Sequence, residues 1–399
     1  MGGRRPADRC ISGLGLTPYR GRMPAPLGAH PEPPLTHAMQ TTATARRTAP
    51  LALPADISAH LARFSLTLAD LLTDSNPKMA KGADLAAGVI LHHLPARSLA
   101  AALTPGRPGP TAPRSYLPAL AALAAREGVA DLGRRWNGCP WATAGCAAGC
   151  LAWAGHGGIS AAVATARGRR TLAMIADPVT YGRAVLWATA RAWARAQTAG
   201  QALALRLRGT DEGPAIGWHR LALPITPADA AALGHRYGLP VAPGDQLTLA
   251  QALAVPGGEG TLRLYDYSKA PVSGPLGLAA QRAAGWDVTA SMAADRATAT
   301  ADATAAIRAG FRLAVPIALG RGQALPVALE LTPADGSPVT VPVVPGDLTD
   351  HRWADPHGVA VALTVKASRG ADRSAADCFS LAATDHLQRL PDGAARLIW

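Results

Sequence analysis

Lysine occurs four times in 399 residues, asparagine twice and phenylalanine three times. No apolar stretch runs free of Arg, Gly or Pro for the roughly 18 to 20 residues that a membrane-spanning helix needs. Several short signatures are missing as well. There is no phosphate-cradling G-x-x-x-x-G-K-[ST] loop, no G-x-G-x-x-G between a strand and a helix, and no Ser in a Gly-x-Ser-x-Gly elbow. Those absences argue against P-loop nucleotide hydrolysis, Rossmann dinucleotide binding and a serine hydrolase. No self-similarity appears at the periods of about 20 to 50 residues that mark solenoids and propellers.

What is present suits a folded core, with 49% hydrophobic and 17% charged residues. The 39 basic and 27 acidic residues leave a net charge of +12, which invites an anionic partner such as nucleic acid. Part of that excess sits at one end, where Arg4, Arg5, Arg9, Arg20, Arg22, Arg46 and Arg47 face only Asp8 and Glu32. Residues 1–54 are rich in Pro, Gly, Thr and Arg without helical or alternating apolar period, and are expected to be disordered. Arg4-Arg5 lacks a following apolar segment, so no export signal is expected, and Met39 is a second candidate start. Residues 55–399 are expected to form a single α/β domain.

Scarcity makes the remaining lysines informative. A composition dominated by Ala and Arg replaces Lys wherever a guanidinium will serve, so the survivors should mark places that need a compact ammonium. They are Lys78, Lys81, Lys269 and Lys366, and Asn76 lies beside the first two in Ser75-Asn76-Pro77-Lys78-Met79-Ala80-Lys81-Gly82. Asn76, Lys78 and Lys81 are therefore candidates for binding a cofactor or substrate.

Apolar periodicity predicts a helix over 57–72, a strand over 88–94, a helix over 117–126, and helices over 158–177 and 179–199. Strands then alternate with helices. The run 203–207 ends in Arg208-Gly209-Thr210-Asp211-Glu212, 261–264 ends in Tyr265-Asp266-Tyr267-Ser268-Lys269, and 288–290 ends in Ser291. A helix over 294–309 and strands over 311–319, 339–344 and 359–365 follow. This alternation predicts βα units, either a (β/α) barrel-like wall or an open, mainly parallel sheet with surrounding helices. In both, polar residues at strand ends share one mouth, which makes Asp211, Asp266, Lys269 and Asp347 candidate catalytic groups. The carboxylates would also suit Mg2+ or Mn2+, and Asp at strand ends equally satisfies turn geometry.

Three of the five cysteines fall within twelve residues, Cys139-Pro140-Trp141-Ala142-Thr143-Ala144-Gly145-Cys146-Ala147-Ala148-Gly149-Cys150. Spacing C-x6-C-x3-C on a Gly-containing loop at 136–156, an odd total and no export signal favour metal or redox chemistry over a disulfide framework. Three soft thiolates suit an iron–sulfur cluster with one open coordination place, or zinc with His156, Cys378 or Cys10 as fourth ligand. Buried cysteines without metal are the plain alternative. Trp136, Trp141 and Trp153 flank the loop.

The succession Asn76-Pro77-Lys78, Cys139-Pro140-Trp141-Ala142-Thr143, Cys146, Cys150-Leu151, Gly209-Thr210-Asp211, Tyr265-Asp266-Tyr267-Ser268-Lys269, Gly346-Asp347-Leu348-Thr349-Asp350 and Asp355-Pro356 resembles the "gene product 88"-like proteins of phages and prophages. The resemblance spans about residues 70 to 380 and implies a phage or prophage context, cytoplasmic in a bacterial host, rather than an activity. Arg208 and Thr210-Asp211 depart from the family pattern. More distantly, a three-cysteine loop ahead of βα units looks like the radical S-adenosylmethionine enzymes, whose usual spacing is C-x3-C-x2-C. That likeness implies a [4Fe–4S] cluster on Cys139, Cys146 and Cys150, with S-adenosylmethionine as a candidate cofactor. The expected function is an iron–sulfur enzyme acting on a small molecule or nucleic acid. The alternatives are a nucleic-acid-binding protein with a structural zinc and an interaction protein without chemistry.

Overall fold

Short apolar runs bounded by polar or glycine residues become strands, and Ala/Leu-rich stretches become helices. The computed structural model describes residues 52–74, 77–104, 116–148, 150, 152, 160–254, 262–319, 323–333, 337–364, 381–382 and 387–397. The expectations for the tail at 1–51 and for Asn76, Trp153, His156, Lys366, Cys10 and Cys378 lie outside them, as does the side chain of Lys78.

The strands are β1 (Leu72–Thr73), β2 (Ala87–Leu91), β3 (Leu203–Arg206), β4 (Leu223–Pro224), β5 (Gln246–Leu247), β6 (Leu262–Ser268) and β7 (Asp287–Ser291). They continue as β8 (Leu313–Ala318), β9 (Ala328–Leu331), β10 (Val339–Pro345), β11 (Ala360–Thr364), β12 (Leu381–Ala382), β13 (Leu387–Arg389) and β14 (Ala395–Leu397). All but β4 and β5 join one large sheet in the order β1-β2-β3-β6-β7-β8-β11-β10-β9-β14-β13, with β12 on β8. From β2 to β11 every neighbour is parallel, as in Val89 opposite Leu205 and Ala362 opposite Val315. The strands in this run follow one another without the reversal of order that creates the switch point of a doubly wound sheet. The remainder is mixed, since β10 runs parallel to β11 but antiparallel to β9. The chain is thus α/β, with a mostly parallel mixed sheet and surrounding helices.

The helix Pro178–Thr198 is the central packing element, burying Tyr181, Val185, Trp187 and Trp193 among others. The preceding helix, Ala161–Ala176, packs beside it. Asp177 joins the two, its carboxylate accepting from the Val179 and Thr180 amides at 3.1 and 3.0 Å. That satisfies donors the first helical turn leaves without partners. Among the described residues no helix is long and apolar enough to cross a membrane.

Two expected elements differ. The helix over 57–72 stops at Arg63, because Ser65 takes a left-handed conformation (φ 54°), and a short turn of 3-10 helix, Leu68–Asp70, follows behind its own Thr67–Asp70 capping box. Strand β6 runs on to Ser268 instead of ending at 264, so Asp266 lies within the strand. Its carboxylate is accommodated there by partners on the neighbouring strand.

Candidate functional site

The C-terminal ends of β2, β3, β6 and β7 are laced together by side chains. After β2, buried His93 meets Asp211 beyond β3, Nδ1 to Oδ1 at 3.2 Å, and faces the Tyr181 hydroxyl through Nε2 at 3.2 Å. An ionised carboxylate only accepts, so Nδ1 carries a hydrogen. The other oxygen of Asp211 accepts from the Gly213 amide at 3.1 Å. Glu212 couples β3 to β6, accepting from Arg208 Nη1 at 3.0 Å, Ser268 Oγ at 3.0 Å and the Lys269 amide at 3.2 Å. Lys269 in turn donates from Nζ to Ser291 Oγ at the end of β7, at 3.0 Å.

The cysteine loop lies across these ends. Glu212 donates its amide to Gly138 O at 2.6 Å, Gly145 donates to Asp295 Oδ2 at 2.8 Å, and Arg296 donates to Trp141 O and, at 3.2 Å, to Lys269 O. The segments following β3 and β7 therefore hold it, and Arg296 links them to the end of β6. Asn137 turns back to accept from the Cys139 amide at 3.1 Å, and Thr143 Oγ1 accepts from Cys146. Cys139, Cys146 and Cys150 are free thiols, each partly buried. Burial, then the charges of Asp211 and Cys150, push the Cys139 thiol well above its ordinary range. Burial also pushes Cys150 up to about 11, with Cys146 adding to the rise and Arg167 and Lys269 opposing it. Cys150 thus lies within electrostatic reach of Cys139 and Cys146. Among the described residues no three His, Cys, Asp or Glu side chains are drawn into a closed ligand set. The cysteines supply the donor type of a thiolate-bound metal but are not gathered into a ligand set in this structure; bound cations favour the thiolate that burial disfavours.

Asp266 stands behind this rim. With no solvent exposure, it accepts from the Leu207 and Arg208 amides at 3.2 and 3.0 Å and pairs with Arg206 at 3.5 Å and Arg208 at 3.2 Å. Arg206 also stacks 4.5 Å from the Tyr267 ring centre and pairs with Asp350 at 3.0 Å. Both Tyr265 and Tyr267 turn their hydroxyls to Asp350, at 3.4 Å.

The structure therefore places Asp211 and Lys269 at the strand ends that the cysteine loop crosses, with Asp266 beneath them. Asp347 lies in the turn after β10, where it accepts from the Thr364 amide at 3.0 Å; β7 and β8 separate its β11 neighbour from β6. Lys81 is exposed in the turn that precedes β2, at the opposite end of that strand from His92 and His93. Tyr181, Arg206 and the pairing of Glu212 were not singled out by sequence. Arg supplies all but four of the 39 basic residues, so a functional arginine carries no compositional mark, and Tyr181 lies inside a helix whose neighbours are equally apolar. The strand-end position of Glu212 was the available signal. In comparisons with protein-family models, curated proteins and solved structures, nothing matches this chain.

Proposed function

We propose that the chain is an enzyme whose active site lies at the C-terminal ends of the parallel strands, with Cys139, Cys146 and Cys150 holding an iron–sulfur cluster above it. The observation that carries this reading is the tethering of the cysteine loop to the segments after β3 and β7. Asp211 and Glu212 then act electrostatically on Cys139, and Lys269 on Cys150. The unreversed strand order from β2 to β11 supports an open, (β/α) barrel-like wall around that mouth. The phage or prophage context belongs to the same proposal. A three-thiolate [4Fe–4S] cluster leaves one iron free to bind a substrate or S-adenosylmethionine. The chain's own groups would position what binds. Lys269, oriented by Ser291, offers a compact cation, and Glu212 holds the ends of β3 and β6 in register.

Protein purified without oxygen is expected to be brown and to contain iron and acid-labile sulfide near four of each per chain, the composition of a [4Fe–4S] cluster. Cys139→Ser, Cys146→Ser or Cys150→Ser should each abolish the colour. Stoichiometric zinc without sulfide would discard this reading in favour of a structural zinc. DNA binding that falls steeply with salt would then point to nucleic acid as the partner.

A further inference from the structure

Beside the cysteine loop, the turn after β3 and the helix Leu278–Ala283 enclose a cavity of about 200 Å³. Three indoles line it, Trp141, Trp218 and Trp286, with Arg208, Gln281 and His219 between them. Four polar atoms of these residues have no hydrogen-bond partner among the described residues: Arg208 Nη2, Gln281 Oε1, Trp218 Nε1 and Trp286 Nε1. Their side chains are nonetheless buried and fixed. Gln281 donates its Nε2 to Leu276 O at 2.8 Å, and the Arg208 guanidinium sits 5.5 Å from the Trp286 ring centre. Gly213 (φ +85°) brings the turn against Trp218 Nε1 so closely that a Cβ would overlap it. Buried polar groups are almost always paired, so four orphans around one cavity point to a missing occupant.

The chemistry of that occupant follows from the same atoms. Arg208 is already matched by Asp266 at 3.2 Å and Glu212 at 3.0 Å, so an entering anion would meet no unbalanced cation. The unpaired groups are donors on Arg208, Trp218 and Trp286 and an acceptor on Gln281. His219 donates Nε2–H to Pro275 O at 3.0 Å, and burial holds its pKa down, which leaves Nδ1 as a second acceptor. Indole walls favour a flat π-face. We propose that the cavity binds a small, uncharged heteroaromatic ring of the nucleobase type, packed against the indoles and read at its edge by Arg208, Trp286 and Gln281. The site needs no metal ligand of its own, although Trp141 reaches it from the cysteine loop.

Equilibrium dialysis of the full chain, purified without oxygen, against adenine, guanine, cytosine and uracil tests this, with benzoate as a flat anion of similar size. At least one base is expected to bind once per chain with Kd below about 1 mM, and benzoate at least tenfold more weakly. Gln281→Leu and Trp286→Phe, the latter keeping the aromatic wall but losing the N–H, should each weaken binding about tenfold, the cost of one lost hydrogen bond. If one variant fails to melt cooperatively, the other decides. No binding of any base, benzoate binding as tightly as the best base, or unchanged affinity in the folded variants would overturn the proposal. The iron and sulfide content of the same preparation reads the cluster separately, so base binding and the cluster can fail independently.

Discussion

Asp266 shows what a single carboxylate does inside a strand. It has no exposure, two guanidiniums beside it and two amides donating to it. Removing one partner of a buried ionic group leaves the rest uncompensated, so Asp266→Ala is expected to cost about 3 to 5 kcal/mol, measured by urea unfolding. A purely catalytic Asp266 would leave stability unchanged. The residue was legible in the sequence because Asp is a poor strand former that interrupts an aromatic alternation. Its burial was not, because nothing in the order of residues says that Arg206 and Arg208 would come alongside. Asp229 makes the same point: Thr226-Pro227-Ala228-Asp229 reads as a capping box, yet its carboxylate also takes Arg183 and Trp187 from a helix more than forty positions away.

Elements were more legible than partners. The helices 117–126, 161–176 and 178–198 and the parallel strands emerge close to their expected bounds, because each carries its own apolar period, and the two longer helices add side-chain caps at Ser160 and Asp177. Where two helices cross, the governing residue is small. A Cβ on Gly168 would overlap Leu120 Cδ1, with Cγ at 3.0 Å, so the helix Ala161–Ala176 passes close to Leu117–Arg126. Gly168→Ala should lower stability by about 1 to 3 kcal/mol through overpacking, although Ala is the better helix former. Asp177→Ala should cost about 1 kcal/mol by stripping the cap from Pro178–Thr198. Thermal melting that shows Gly168→Ala stabilised would refute the close crossing.

At the scale of the molecule, periodicity spoke for each strand but not for which strands pair, so a closed wall and an open sheet were equally readable, and the mixed part from β9 to β14 was not foreseen. Acid sensitivity is likewise a property of the whole. Burial lowers the pKa of His60, His219 and His351, and that of His92, also opposed by Arg167 and Arg206, to about 2. Unfolding frees these rings to take protons near 6.5, so their contribution is complete above that pH and declines below it. His92 alone should cost about 1.4 kcal/mol per pH unit between roughly pH 6 and pH 3. Urea unfolding at pH 7.5, 5.5 and 4.5 checks the slope, which His92→Asn should reduce by about one proton between the two lower values. The pairing of β11 with both β8 and β10 has a consequence for synthesis. Strands β2 to β8 leave the ribosome in the order in which they pair, but the β9–β10 hairpin emerges before the strand that attaches it. Until Ala360–Thr364 appears, the nascent chain holds two half-sheets with bare edges, and this is the interval when a chaperone, or another nascent chain, finds a strand to bind.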